Sequence, residues 1–308
     1  MRFIAFGAGG VGGYFGGRLA RAGQDVTFIA RRAHLDAIRA RGLRLRTPDG
    51  EITVDPVQVT DDLSTLSPPD YLLFAVKLFD TQAVAEACRP IVGPRTAVVS
   101  LQNGVEAVDI LSGVFGAARV MGGTARIAAV ISEPGVIAQT GKFAILNFGE
   151  QDGSRSERGL ALEAACLNAG FDARLLDNID ADIWQKFILL ATLSGMTSLT
   201  RLPNGPLRKT PATRALVETC MAEVAAVGRA RGIALPDDVV ASVMALWDGL
   251  PAEMVASMAH DLKAGKPLEL DHLSGAVVRL GRSLGVPTPT HAFIHAALQP
   301  YVNGAPPE

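Results

Sequence analysis

The chain of 308 residues is poor in cysteine: it has Cys88, Cys166 and Cys220, an odd number at wide spacing. That pattern argues against a disulfide framework, and no C-x-x-C pair marks a zinc site. Positive charge is not in excess either, with Lys+Arg 29 against Asp+Glu 31 and a net charge of -2. Without a bulk positive field, neither nucleic acid nor an anionic membrane surface is an expected partner. No apolar run reaches the roughly 18–20 residues of a membrane helix; Lys186 and Arg201 bracket the most apolar stretch. The opening MRFIAFGAGGVGG has no charged n-region followed by a long apolar core. It reads as a buried strand rather than a secretory signal, and a cytoplasmic location is the expectation. There is no G-x-S-x-G elbow, and no P-loop lysine follows the glycines. His291 and His295 are spaced i, i+4 but have no obvious further ligands, so no metal site is expected. His34, His260 and His272 read as surface or cap residues.

What is present suffices for sizeable cores. Hydrophobic residues make up 48% and charged residues 19%, which excludes a disordered chain. At about 100–200 residues per domain, two domains are expected. The first half alternates short apolar runs with helical stretches. Arg2–Phe6 reads as a strand, Gly10–Ala22 as a helix, Asp25–Ala30 as a strand and His34–Arg41 as a helix. Tyr71–Val76 and Thr96–Leu101 are near-continuous apolar runs, the mark of strands buried on both faces of a parallel sheet. Leu43–Val59 reads as an antiparallel excursion turning at Pro48-Asp49-Gly50, and a second β-rich region spans Val120–Gly149 with a turn at Glu133-Pro134-Gly135. Leu160–Ala169 then reads as a helix and Phe171–Leu176 as a last strand.

After about Asp177 the texture becomes helical, over Asp180–Thr200, Ala212–Arg231, Pro236–Leu250 and Leu268–Leu284. The expected fold class is therefore α/β: a Rossmann-type dinucleotide-binding domain over residues 1–178, and an all-helical domain over 179–308. The last residues, Asn303–Glu308, read as a frayed tail. The long apolar helices suit either a homodimer face or an internal core.

Gly7-Ala8-Gly9-Gly10-Val11-Gly12 follows the first strand and opens a helix. The first glycine permits the tight turn, the second lets backbone approach a pyrophosphate, and the third lets helix and strand pack closely. Amides at the helix N-terminus then face the phosphates. An NAD site usually has a carboxylate about 20 residues on, for the ribose 2′-hydroxyl. Here the second strand ends in Arg31-Arg32. A guanidinium can bind a 2′-phosphate bidentately, so NADP(H) is favoured, with Arg31 as its partner and Arg32 as a solvated loop charge.

The chain resembles the ketopantoate reductase family (2-dehydropantoate 2-reductases) over essentially its whole length. The resemblance rests on GAGGVG, Arg31 at the strand end, Val76-Lys77, Gln102-Asn103-Gly104, Trp184-Gln185-Lys186, Pro203-Asn204-Gly205, and Ser257-Met258 followed by Glu269. It implies reduction of the 2-keto group of ketopantoate with NADPH, giving pantoate for pantothenate biosynthesis, on a Rossmann domain joined to a helical one. It also implies that Lys186 is the proton donor. Physics agrees: hydride delivered to a ketone carbon leaves an alkoxide, which a neighbouring ammonium stabilises and protonates. In so apolar a helix, desolvation would lower the lysine pKa.

By the same resemblance Glu269 contacts the cofactor and supports Lys186, starting a helix after Lys266-Pro267. Ser257 and Asn204 contact substrate, Asn103 contacts nicotinamide ribose and substrate, and Lys77 contacts the cofactor. Two positions depart from the family. Its asparagines four and eight residues after the lysine are here Leu190 and Ser194. Both lie near the helical face of Lys186, and Leu190 cannot hydrogen-bond a substrate oxygen. The alternatives are a related oxidoreductase acting on another carbonyl compound, or an NADP(H)-binding regulator without turnover.

Overall fold

The computed structural model of the protein describes residues 1–305. Its chain groups into two units. The first comprises Met1–Asn103 and Ala107–Ile179; the second comprises Gly104–Glu106 and the chain from Asp180 on. The short Gly104–Glu106 segment, which sequence reasoning placed in the first half, thus groups with the helical unit.

The first unit is built on a ten-stranded sheet. In chain order its elements are β1 (Arg2–Phe6), α1 (Gly10–Arg21), β2 (Asp25–Ile29), α2 (Arg32–Arg41), β3 (Leu43–Thr47), β4 (Gly50–Val54), β5 (Gln58–Thr60) and β6 (Tyr71–Phe74). Then follow α3 (Thr81–Cys88), β7 (Ala97–Ser100), α4 (Ala107–Phe115), β8 (Val120–Glu133), β9 (Val136–Glu150), α5 (Glu157–Asn168) and β10 (Asp172–Leu175). The strand order is β4-β3-β9-β8-β7-β6-β1-β2-β5, with β10 beside β9. From β5 to β7 every pairing is parallel, and β8 joins β7 in parallel. The β8–β9 and β3–β4 pairs are antiparallel, at the two turns marked by Glu133-Pro134-Gly135 and Pro48-Asp49-Gly50.

Strand periodicity explains the layers. Successive side chains of a strand point to opposite faces. Phe3 and Ala5 of β1, Tyr71 and Leu73 of β6, and Val99 of β7 enter one core with Phe15, Leu19 and Phe28. Ile4 and Phe6, Leu72 and Phe74, and Val98 enter the opposite core with Val84, Ala85 and Leu111 of α3 and α4. The three cysteines are free and buried; Cys166 lies in the first core and Cys88 in the second. Burial pushes each thiol, Cys220 included, up to about 12.

The second unit is helical: α6 (Ile179–Thr200), α7 (Asn204–Lys209), α8 (Pro211–Ala230), α9 (Val239–Asp248), α10 (Ser257–Lys263), α11 (Ser274–Leu284) and α12 (Pro289–Leu298). Two expectations need correction. The stretch Leu268–Leu284 is not one helix: a 3-10 turn covers Leu270–His272, and α11 begins only at Ser274. Glu269 therefore precedes a 3-10 turn instead of opening an α-helix. Nor is the start of the tail simply frayed, since Gly304 is buried and donates to the Tyr301 carbonyl at 3.0 Å. The remainder of the tail expectation, residues 306–308, falls outside the described residues. Among the described residues no helix is long and apolar enough to cross a membrane.

Candidate active site

In a parallel sheet the carboxyl ends of the strands share one edge, where ligands bind. The Gly7–Gly12 turn follows β1, Arg31 follows β2, Lys77 follows β6 and Asn103 follows β7. All four sequence-derived cofactor positions of the first unit therefore stand on one edge.

The glycines of the turn do different work. Gly7 has φ +94°, in the region that favours glycine, and an added Cβ would lie 2.7 Å from the Ala75 carbonyl oxygen. At Gly12 a Cβ would meet the Gly7 carbonyl oxygen at 2.3 Å, so helix and turn pack backbone to backbone. At Gly10 it would meet the Ala129 carbonyl oxygen of β8 at 2.1 Å. Gly9 differs: nothing lies within 4 Å of a Cβ built there, and its φ of -78° is open to any residue. The first N–H groups of α1 have no partner within the helix. Gly9 thus opens a cradle over a helix N-terminus, the geometry a pyrophosphate needs. Ala8 and Val11 complete the turn.

Beside Arg31 lies a hollow of about 190 Å³ lined by Phe6, Ile29, Leu63, Ala83, Val84 and Ala87 together with the carboxylates of Asp61 and Asp80. A largely apolar hollow next to an exposed guanidinium suits an adenine carrying a ribose 2′-phosphate. The neighbouring Arg32 has φ +55°.

Gln102, which precedes Asn103, has a role that its sequence context does not reveal. Its buried amide donates to the Val76 carbonyl at 3.1 Å and to Thr81 Oγ1 at 2.8 Å. It ties the turn bearing Asn103 to the strand end bearing Lys77. Asn103 is half-buried and Lys77 exposed.

In the second unit, Lys186 lies half-buried on α6 between the buried pairs Ile183–Trp184 and Phe187–Ile188. The Trp184 and Phe187 rings meet edge-on at 5.9 Å. Leu190 is half-buried and Ser194 fully buried. Two hydrogen bonds gather other sequence-derived residues around this helix. Thr197 Oγ1 of α6 accepts from the Ala256 N–H at 3.3 Å, docking the start of α10 and its exposed Ser257. Asn204 N–H donates to the Met254 carbonyl at 3.0 Å. Although Pro-Asn-Gly is good turn chemistry by itself, Asn204 stands in the first turn of α7. The missed residue here is Trp247. Its Nε1–H donates to Asn204 Oδ1 at 3.1 Å, and the Arg208 and Arg214 guanidinium groups lie over its ring at 5.9 and 5.6 Å.

The Trp247 bond has a chemical consequence. Indole N–H is only a donor, so it must face the amide oxygen of Asn204. Asn204 Nδ2, wholly buried, is left as a donor with no partner among the described residues, and so is the hydroxyl of Ser194. Buried polar groups are almost always hydrogen-bonded, so such a pair asks for ligand oxygen or water. Glu269 is buried. Three residues on, His272 Nδ1 approaches Glu106 Oε2 at 3.7 Å, while Arg279 donates to both Glu106 oxygens at 3.0 and 2.7 Å. No local pattern marks the partnership, because Glu106 lies 173 positions from Arg279.

The remaining histidines are structural partners. His291 is fully buried, with Nε2 3.2 Å from the Cys220 carbonyl and Nδ1 3.3 Å from Ser274 Oγ. His295 Nε2 lies 2.7 Å from Asp271. Among the described residues no group of three or more His, Cys, Asp or Glu is arranged to hold a metal.

The family profile described as ketopantoate reductase PanE/ApbA matches residues 3–153, and the corresponding C-terminal profile matches residues 178–302. The chain belongs to the ketopantoate reductase family. A 2-dehydropantoate 2-reductase of Mesorhizobium japonicum is 34% identical over 94% of this chain and 94% of its own length. YkpB of Bacillus subtilis, an uncharacterized oxidoreductase, is 29% identical over 98% and 99%. The crystal structure of a PanE/ApbA family ketopantoate reductase from Ralstonia eutropha superposes with a TM-score of 0.89, at 36% identity and 98% coverage of both chains. The protein is an NADP-dependent oxidoreductase of the 2-dehydropantoate 2-reductase type, and the glycine cradle and Arg31 fit the cofactor of the ketopantoate reductase family.

Proposed function

We propose that the protein reduces a 2-keto acid to the 2-hydroxy acid with NADPH, with 2-dehydropantoate as the first substrate to test and pantoate as its product. The observation that carries this reading is that Asn204 Nδ2 and Ser194 Oγ, the two sequence-derived substrate positions of the helical unit with buried side chains, are among its unpartnered buried groups, in the same unit as Lys186. Bound NADPH supplies the hydride. Gly7, Ala8, Gly9, Gly10, Val11 and Gly12 seat the pyrophosphate, Arg31 holds the 2′-phosphate, and Lys77, Asn103 and Glu269 contact the nucleotide. Asn204 and Ser194, with Asn103 and Ser257, offer hydrogen bonds to substrate oxygens. The Lys186 ammonium stabilises the oxygen that gains negative charge and gives it a proton, supported by Glu269; solvent then returns the proton to the amine.

A second reading keeps the reaction and changes the substrate. Leu190, one helical turn from Lys186 and half-buried, adds apolar surface where a hydrogen-bonding side chain would hold a hydroxyl. Loss of such a partner changes discrimination between substrates. This favours a 2-keto acid with a more apolar side chain.

NADPH oxidation with a panel of 2-keto acids separates the two readings: turnover of 2-dehydropantoate supports the first, and turnover of apolar 2-keto acids alone supports the second. Lys186→Ala should lower kcat by about 100-fold or more on the preferred substrate. Turnover equal to the parent would remove Lys186 from the mechanism, and no turnover of any carbonyl compound would leave only an NADP(H)-binding regulator.

A further inference from the structure

His34, which the sequence suggested to be a surface or cap residue, is half-buried in the first unit, against the glycine turn. Its Nδ1 lies 3.0 Å from the Gly135 backbone nitrogen and its Nε2 2.8 Å from the Ala8 carbonyl oxygen. A backbone N–H can only donate, so Nδ1 must be the acceptor. Nε2 then carries the proton and donates it to Ala8. The bridge therefore requires the neutral imidazole in a single tautomer, and burial holds the His34 pKa below its ordinary 6.5, in keeping with that state.

Both partners are themselves fixed. Ala8 N–H donates to the Ile29 carbonyl of β2 at 3.0 Å, so with His34 both backbone groups of Ala8 are engaged. The Gly135 carbonyl accepts from Arg44 N–H of β3 at 3.0 Å. Gly135 has φ +84°, and a Cβ there would come within 3.2 Å of Ala37 on α2. The same β8–β9 ribbon brings the Ala129 carbonyl against Gly10. The middle of the glycine turn is thus braced from below by β2 and from the side, through one imidazole, by the turn of the ribbon.

We propose that His34 is a positioning residue of the NADP(H) site, setting the Gly7–Gly12 turn for the pyrophosphate by bridging Ala8 to Gly135. The inference rests on the reading that this turn binds the pyrophosphate. Preorganised backbone donors bind phosphate without first ordering a loop. Without the bridge the Ala8 carbonyl loses its partner and the turn must be ordered by the ligand itself. The effect is confined to the phosphate end, because His34 bonds neither to the hollow beside Arg31 nor to the strand ends bearing Lys77 and Asn103.

The test compares two probes. NADPH carries the pyrophosphate; 2′-AMP carries adenosine and the 2′-phosphate but no pyrophosphate. In His34→Phe, which keeps a ring and removes both bonds, the Kd for NADPH should rise tenfold or more while that for 2′-AMP stays within twofold of the parent. Arg31→Ala should weaken both probes. Two smaller variants cover the case in which His34→Phe does not fold. Gln can place an amide donor near the position of Nε2, and Asn an acceptor near that of Nδ1. His34→Gln should therefore bind NADPH more tightly than His34→Asn. NADPH affinity unchanged in His34→Phe, equal weakening of both probes, or equal affinities of the Gln and Asn variants would overturn the proposal. A parent that fails to bind NADPH would remove the cofactor reading and this inference together, whereas a parent that binds and a variant that binds equally would remove only the role of His34.

Discussion

Gly9→Ala and Gly10→Ala change neighbouring residues by the same single methyl group and should fail in opposite ways. At Gly9 the new Cβ meets nothing within 4 Å, and φ of -78° is comfortable for alanine. The substitution also removes freedom from the unfolded chain, so stability should be unchanged or rise by about 0.4–1 kcal/mol. The methyl instead occupies the space into which a phosphate must come, and NADPH affinity should fall by at least tenfold, about 1.4 kcal/mol. At Gly10 the methyl would stand 2.1 Å from the Ala129 carbonyl oxygen. The backbone of β8 must move to admit it, a kind of overpacking that costs about 1–3 kcal/mol. Urea unfolding and a fluorescence titration with NADPH, run on both variants, separate the two effects. A Gly9→Ala protein that binds NADPH as tightly as the parent would refute the assignment of this turn to the pyrophosphate. A Gly10→Ala protein as stable as the parent would refute the packing argument.

Leu190→Asn should raise kcat/KM for 2-dehydropantoate by about tenfold through a regained hydrogen bond, and a fall would show that the pocket is tuned to an apolar substrate. Arg32 holds a left-handed backbone at φ +55°; Arg32→Gly should stabilise the fold by about 1 kcal/mol in urea unfolding without changing NADPH affinity, and weaker binding would give its side chain a share of the 2′-phosphate. Burial pushes His291 from 6.5 to about 4, so between these values the unfolded chain binds a proton that the folded one refuses. The stability tied to neutral His291 is complete above pH 6.5 and is lost as pH falls toward 4, at most roughly 3 kcal/mol. His34 acts in the same direction. A His291→Gln protein should show a shallower loss of urea stability over this range, and an unchanged slope would refute the account.

The parts of the fold legible in the sequence were those written in local pattern. Two-face apolar runs such as Tyr71–Val76 read as central parallel strands, and Pro48-Asp49-Gly50 and Glu133-Pro134-Gly135 carried their own turn chemistry. The break inside Leu268–Leu284 carried no such signal, because neither proline nor glycine separates the 3-10 turn at Leu270–His272 from α11. Pro203-Asn204-Gly205 is turn chemistry on local grounds; the place of Asn204 in α7 depends on the Ala252 and Met254 carbonyls, which accept from Gly205 and Asn204. The candidate site divides in the same way. The glycines and Arg31 stood out by motif spacing, and Lys186 through the family resemblance. His34 joins residues 26 and 101 positions away, and Trp247 reaches Asn204 across 43. Such partners belong to no local pattern, so only the folded chain reveals them.

The three sealed thiols give the molecule a use as its own reporter. Cys88 and Cys166 lie on opposite sides of one sheet, and Cys220 lies in the helical unit. Only thiolate reacts with aromatic disulfide reagents, and a thiol pushed up to about 12 supplies almost none at neutral pH. Each cysteine therefore becomes visible only when its surroundings open, and mass spectrometry of the labelled peptides would time the three openings separately. The native chain is also a silent background: a dye attached through one added surface cysteine would follow nucleotide binding with no competing label.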